Sequence, residues 1–194
     1  MFRRMKLIAA AAVIALLVPA AAQAQTGFGA RVGSFSVSGD NVEMDATTAF
    51  GAHVSLGFLP ILKFQLGVEY LSGTADYTYG AVTVPDQDFT NVGVFADVRY
   101  PISLIPMFPL KPVVGGGLNL NMLSYVDEDN AASVGPGAAP ADFTRSGYHL
   151  MAGLLFNPPV VPLAVSAEYR LQYISVSEGT IPVKGILVGL TFGF

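Results

Sequence analysis

The chain has 194 residues, of which 52% are hydrophobic and only 12% charged, with ten Lys/Arg, fourteen Asp/Glu and a formal net charge of −4. Ordinary soluble domains are about 25% charged, so a standard cytosolic enzyme is disfavoured, and the apolar content excludes disorder. With no Cys and two His, a disulfide scaffold, a Cys nucleophile, a zinc–thiolate site and a lipid-modified N-terminal Cys are excluded, and no metal or cofactor is expected.

In chain order, Arg3, Arg4 and Lys6 precede the apolar run 7–18 and the small-residue motif Ala22-Gln23-Ala24. This is the pattern of a secretory signal peptide. The run is shorter than the ~20 residues a membrane-spanning helix needs. The expected organisation is therefore a signal peptide over 1–24 and one domain over 25–194. Removal of 1–24 leaves seven Lys/Arg against fourteen Asp/Glu.

The remainder shows alternation with period two, which places successive side chains on opposite faces of a strand. The predicted strands are 28–37, 50–58, 64–71, 92–100, 114–124, 146–156, 163–173 and 185–194. The clearest is the seventh, where Leu163, Val165, Ala167, Tyr169, Leu171 and Tyr173 alternate with Ala164, Ser166, Glu168, Arg170 and Gln172. The first is the weakest, its alternation breaking near Ser34 and Phe35. Connections after strands two, four and six are Pro-rich and almost uncharged. Those after strands one, three, five and seven, over 38–49, 72–90, 126–144 and 174–183, hold eleven of the fourteen acids and are predicted as loops. Such alternation of connections fits an up-and-down antiparallel β-barrel of eight strands.

A closed barrel could turn its apolar face inward, as lipocalins do, or outward to lipid. The polar face carries too few charges and too many Gly for a water-facing surface. Phe28, Phe58, Phe64, Tyr100, Phe156, Phe192 and Phe194 mark one end of the apolar face, and Phe50, Tyr70, Tyr148, Tyr169 and Tyr173 the other. Two aromatic rings match the interfacial girdles of a transmembrane barrel, and closure removes the strand edges that lipid cannot tolerate.

The last strand alternates through Ile186, Val188, Leu190 and Phe192 to a terminal Phe194. This ending resembles the C-terminal assembly signal of bacterial outer-membrane proteins. Over 25–194 the architecture resembles the small eight-stranded outer-membrane β-barrel proteins of the OmpA transmembrane-domain and OmpX type. The resemblance implies an outer-membrane location in a Gram-negative-type cell, with both termini in the periplasm. It also implies outer-membrane lipid, periplasmic chaperones and the barrel-assembly machinery as partners, with Leu190, Phe192 and Phe194 carrying the signal.

The polar face brings Arg31, Glu69, Asp97, Arg99, Glu168 and Arg170 inward, with His53, His149, Gln65, Gln172, Asn119 and Asn121. An eight-stranded barrel is just wide enough for side chains to fill it. Charges there must pair or be solvated, and Arg suits bidentate pairing with carboxylates. The expected arrangement is an ion-paired plug. The alternative is a narrow, porin-like passive channel, with inward glycines leaving room for water.

A third reading is enzymatic, because some eight-stranded barrels modify lipid A and one such class carries a His-x-Ser pair. His53-Val54-Ser55 matches that triplet. Its parity points it into the lumen, however, and it lies on the second strand rather than near the C-terminus, so the chain is read as a non-enzyme. The cluster Asp127-Glu128-Asp129-Asn130 lacks the spacing of an EF-hand and is read as a solvated loop tip. The expected role is structural or surface interaction, through an extracellular ligand of the acidic loops. The net negative charge disfavours nucleic acid.

Overall fold

The computed structural model describes residues 25–38, 42–59, 62–79, 82–103, 108–126, 143–176 and 179–193. The expected signal segment, Phe194, Asp40, Asp127, Glu128, Asp129, Asp142 and Glu178 lie outside them. Eight strands form: β1 (Gln25–Ser38), β2 (Val42–Leu59), β3 (Leu62–Tyr79), β4 (Val82–Pro101), β5 (Leu110–Val126), β6 (Phe143–Phe156), β7 (Leu163–Val176) and β8 (Gly179–Gly193). Each pairs antiparallel with the next, and β8 returns to β1 to close the barrel.

Closure is staggered. Paired residues lead from Gly27 through Ser55, Gln65, Asp97, Gly117, His149, Gln172 and Val183 to Val37. One circuit thus returns ten residues further along β1, which tilts the strands as a closed barrel requires. Every residue on this path faces inward, so the path is a spiral around the lumen wall.

Parity assigns the faces as expected over the turn-end half of the barrel. Phe28, Val32, Leu118, Leu150, Ile186 and Leu190 are exposed on the outside, while Arg31, Asp97, Arg99, His149, Glu168 and Arg170 are buried inside. Outward rings pair across strands: Phe28 stacks on Phe192 across the β1–β8 seam, and Tyr148 on Tyr173, with ring centroids 6.2 and 5.1 Å apart.

The pattern reverses towards the loop end. On β1 the inward residues become Phe35 and Val37, while Ser34 and Ser38 are exposed outside. On β3 the inward positions pass from Gln65 and Glu69 to Leu71 and Ala75, and the outward ones from Val68 and Tyr70 to Ser72, Thr74 and Asp76. Phe89 on β4, Leu123 on β5, Ile174 on β7 and Val183 on β8 complete an apolar core inside this end of the barrel. Here the barrel has an oily inside and a polar outside.

This reversal accounts for the irregularity in the first strand and corrects one sequence expectation. The irregularity near Ser34 and Phe35 is a change of phase, since β1 pairs with β8 without interruption. The extra residue belongs to β2: Phe35 pairs with Thr47 and Val37 with Met44, which leaves Asp45 and Ala46 opposite the single residue Ser36. The correction is that the stretches 38–49, 72–90 and 174–183 are largely strand rather than loop. A search for an apolar outward face ends where the outside turns polar. Among the described strands, the widest gap in the chain is the one between β5 and β6, from Val126 to Phe143.

At the turn end, backbone bonds fasten the Pro-rich connections. Ile102 N donates to Pro112 O at 2.7 Å, Asn157 N to Pro109 O at 2.7 Å and Gly193 N to Pro162 O at 3.0 Å.

Candidate functional site

The lumen holds the described chemistry of the protein, in three layers. The lowest is an ion-pair belt. Arg99 on β4 makes a two-pronged contact with Glu168 on β7: NH1 meets Oε1, and NH2 donates to Oε2 at 3.0 Å. The same NH2 reaches Asp97 Oδ2 at 3.2 Å. Asp97 Oδ1 is 2.7 Å from His149 Nε2 on β6. Gly117 separates these two residues in the register, and its lack of a side chain leaves their path clear.

Glu69 on β3 takes two cations. Arg170 NH1 donates to both its carboxylate oxygens, at 2.9 and 2.8 Å. Arg31 Nε lies 2.7 Å from Glu69 Oε1, off the direction of a hydrogen bond, so this contact is an ion pair only. The Arg31 guanidinium sits over the Phe95 ring, 3.6 Å from its centroid, and Arg170 is 5.5 Å from the same centroid. A cation held against a ring face gains on the order of 1–2 kcal/mol when desolvated. Phe95 therefore supports two guanidiniums at the centre of the belt, a role that sequence parity places inward but does not reveal.

Three guanidiniums thus meet three carboxylates, all on the inner wall. The arrangement neutralises charges that would be costly to bury alone. His53 stands apart from the belt. Its Nε2 meets Thr191 Oγ1 on β8 at 2.8 Å rather than a carboxylate. Nor is it directed at Ser55; both residues are buried within the barrel, away from its lipid-facing surface.

Several inward glycines are seats rather than gaps. A Cβ on Gly51 would lie 2.9 Å from Glu69 Cγ and 3.2 Å from Arg31 Cγ. On Gly67 it would lie 2.7 Å from Phe95 Cε1, on Gly29 2.6 Å from His53 Nε2 and on Gly185 2.7 Å from Phe35 Cγ. Each of these four glycines accepts a large side chain from a neighbouring strand, so at these positions the expectation that inward glycines leave room for water is corrected. Small and large residues alternate around the wall because the lumen cannot hold two bulky side chains side by side.

Above the belt is a ring of amides. Asn91 Nδ2, Asn119 Nδ2 and Gln172 Nε2 all donate to Asn121 Oδ1, at 3.2, 3.4 and 3.0 Å. The apolar core forms the third layer. The sequence reading named Asn119, Asn121 and Gln172 but missed Asn91. Its parity with Asp97 and Phe95 is the available signal, hidden because the expected strand starts one residue later, at Val92. Among the described residues no group of three or more His, Cys, Asp or Glu is placed to hold a metal ion.

An apolar outer belt around a closed barrel with a charged interior defines a transmembrane β-barrel. The chain belongs to the family described as outer membrane protein beta-barrel domain, whose model matches residues 8–194. Among solved structures it is similar to Neisserial surface protein A, with 17% identity, 87% of this chain and 97% of that one covered, and a TM-score of 0.64. It is also similar to OprG from Pseudomonas aeruginosa, at 14% identity, 88% and 97% coverage and a TM-score of 0.57. The Yersinia pestis attachment invasion locus protein Ail, in complex with the heparin analogue sucrose octasulfate, matches at 14% identity, 88% and 99% coverage and a TM-score of 0.56. At these identities the likenesses establish the fold alone. No curated protein matches the sequence.

The protein is an integral outer-membrane barrel of a Gram-negative-type envelope. Gln25 and Gly193 lie at the periplasmic end, and the β5–β6 connection at the extracellular end.

Proposed function

We propose that the protein is a closed, non-conducting outer-membrane barrel with a structural and surface-interaction role, rather than a channel or an enzyme. The observation that carries this reading is the double obstruction of the lumen. Ion pairs from Arg31, Arg99 and Arg170 cross it at one level, and Phe35, Leu71, Phe89, Leu123 and Ile174 narrow it with an apolar lining at the next. A hydrated ion would have to displace both layers in turn.

The extracellular rim then carries the contacts with the environment. Its described outer surface exposes Glu43, Asp45, Asp76 and Asp88. Ail in its complex holds a sulfated, strongly anionic ligand; the acidic rim of this chain would repel such a ligand and favours a cationic or neutral one. Lipid A chemistry at His53 and Ser55 is disfavoured by their enclosure. Outer-membrane lipid around the barrel, and chaperones and the barrel-assembly machinery during insertion, complete the proposed partners.

The test is single-channel recording of refolded 25–194 in a planar bilayer, after its heat-sensitive gel shift has verified the barrel. Silence is expected. Steady unitary conductance that changes with Arg170→Ala would replace this reading with a channel.

A further inference from the structure

We propose that the extracellular half of the lumen is a binding site for a short aliphatic chain that ends in a neutral hydrogen-bonding group, such as a primary alcohol or amide. Three observations carry this, and none depends on whether the barrel conducts.

The first is space. A cavity of about 50 Å³ lies between the amide ring and the rim. That is more than a single water needs, so the cavity takes several groups of methylene size. Its walls are Phe35, Leu71, Phe89, Leu123, Ile174 and Val183. Water gains little against such walls, whereas methylene groups placed there leave water for an apolar surface.

The second is the floor. Asn91, Asn119, Asn121 and Gln172 line the base of this cavity. Asn91 Oδ1, Asn119 Oδ1 and Asn121 Nδ2 are buried with no hydrogen-bond partner, on side chains more than nine-tenths buried. Buried amide atoms without partners are costly. Two acceptors and one donor together suit a head group that both donates and accepts, as a hydroxyl or primary amide does. A carboxylate can only accept, and it would face Glu69 on the same floor. An ammonium would find Glu69 already engaged by Arg31 and Arg170.

The third is Gly93 on β4. Gly29, Gly51, Gly67 and Gly185 seat large side chains, but a Cβ on Gly93 would meet nothing closer than Asn121 Oδ1, at 3.5 Å. Gly93 lines the cavity and keeps its floor open where its counterparts are filled.

The experiment uses the refolded barrel in phosphatidylcholine nanodiscs, with labelled Met methyl and Asn/Gln side-chain amide groups observed by NMR. Met44 lines the cavity, whereas Met122 lies on the outward face of β5 and reports lipid. Titrated 1-hexanol should shift the Met44 methyl and the Asn121 amide with saturation, while Met122 responds without saturation. Hexane and hexanoate should bind about tenfold more weakly or worse, the worth of one good hydrogen bond. Gly93→Ala should weaken 1-hexanol at least as much, and Ile174→Phe, which crowds the facing wall, serves if that variant fails to assemble. Saturation at Met44 that both variants leave unchanged would overturn the site. Equal affinity for hexane or hexanoate would overturn the neutral head group. Responses that never saturate, at Met44 as at Met122, would reduce the effect to partition into lipid and overturn the proposal entirely.

Discussion

The two halves of this barrel solve opposite solvation problems with one set of strands. In the periplasmic half the outside is oil, so Val32, Leu118 and Leu190 face outward and the interior collects Arg, Asp and Glu. In the extracellular half the outside is water, so Ser34, Thr74 and Asp76 face outward and Phe35, Leu71 and Ile174 turn inward. Strand parity holds through the change on β1, β3 and β8 and shifts on β2 with its extra residue; what differs between the halves is the solvent. The lower half follows the rules of a membrane barrel, the upper half those of a small soluble barrel with an apolar interior. The amide ring of Asn91, Asn119, Asn121 and Gln172 is the seam between them, polar enough to meet the ion pairs and uncharged enough to border the apolar core.

The largest break in this comparison comes from the lower interior. Arg170→Ala leaves Glu69 with the poorly directed Arg31 contact alone, and should cost about 3–5 kcal/mol, the range for breaking one side of a buried pair. Urea unfolding in lipid vesicles measures it, and an unchanged midpoint would mean that Glu69 is solvated. A matched pair of outward substitutions sharpens the contrast with smaller effects. Leu190→Arg on the lipid face should cost about 2–4 kcal/mol near mid-bilayer. Thr74→Arg on the rim should stay within about 0.5 kcal/mol. Equal costs would place both residues in the same solvent.

The eight strands, their parity and the inward set of charges were legible because lipid imposes an unbroken apolar row on the outer face. Strand seven, from Leu163 to Tyr173, shows it without ambiguity. The upper strand segments were not legible. In Ser72-Gly73-Thr74-Ala75-Asp76 the outward residues are polar and the inward ones small, so alternation of hydropathy fades just as its sense inverts. The composition of the belt could be read from sequence, but not its pairing. That Arg170 reaches Glu69, and Arg99 Glu168, follows from the ten-residue stagger. Likewise, His53 shares the parity of the belt but sits opposite Thr191 on β8, which no reading along one strand reveals.

The most direct test of the inversion is a nitroxide scan along the outer face of β3. The chain has no native Cys, so single Cys labels at Leu66, Val68, Tyr70, Ser72, Thr74 and Asp76 report one position each. In bilayers, access by oxygen should dominate from Leu66 to Tyr70, and access by a water-soluble nickel chelate from Ser72 to Asp76. Lipid-like access that continues through Asp76, or water-like access already at Val68, would contradict the division of the barrel into two halves.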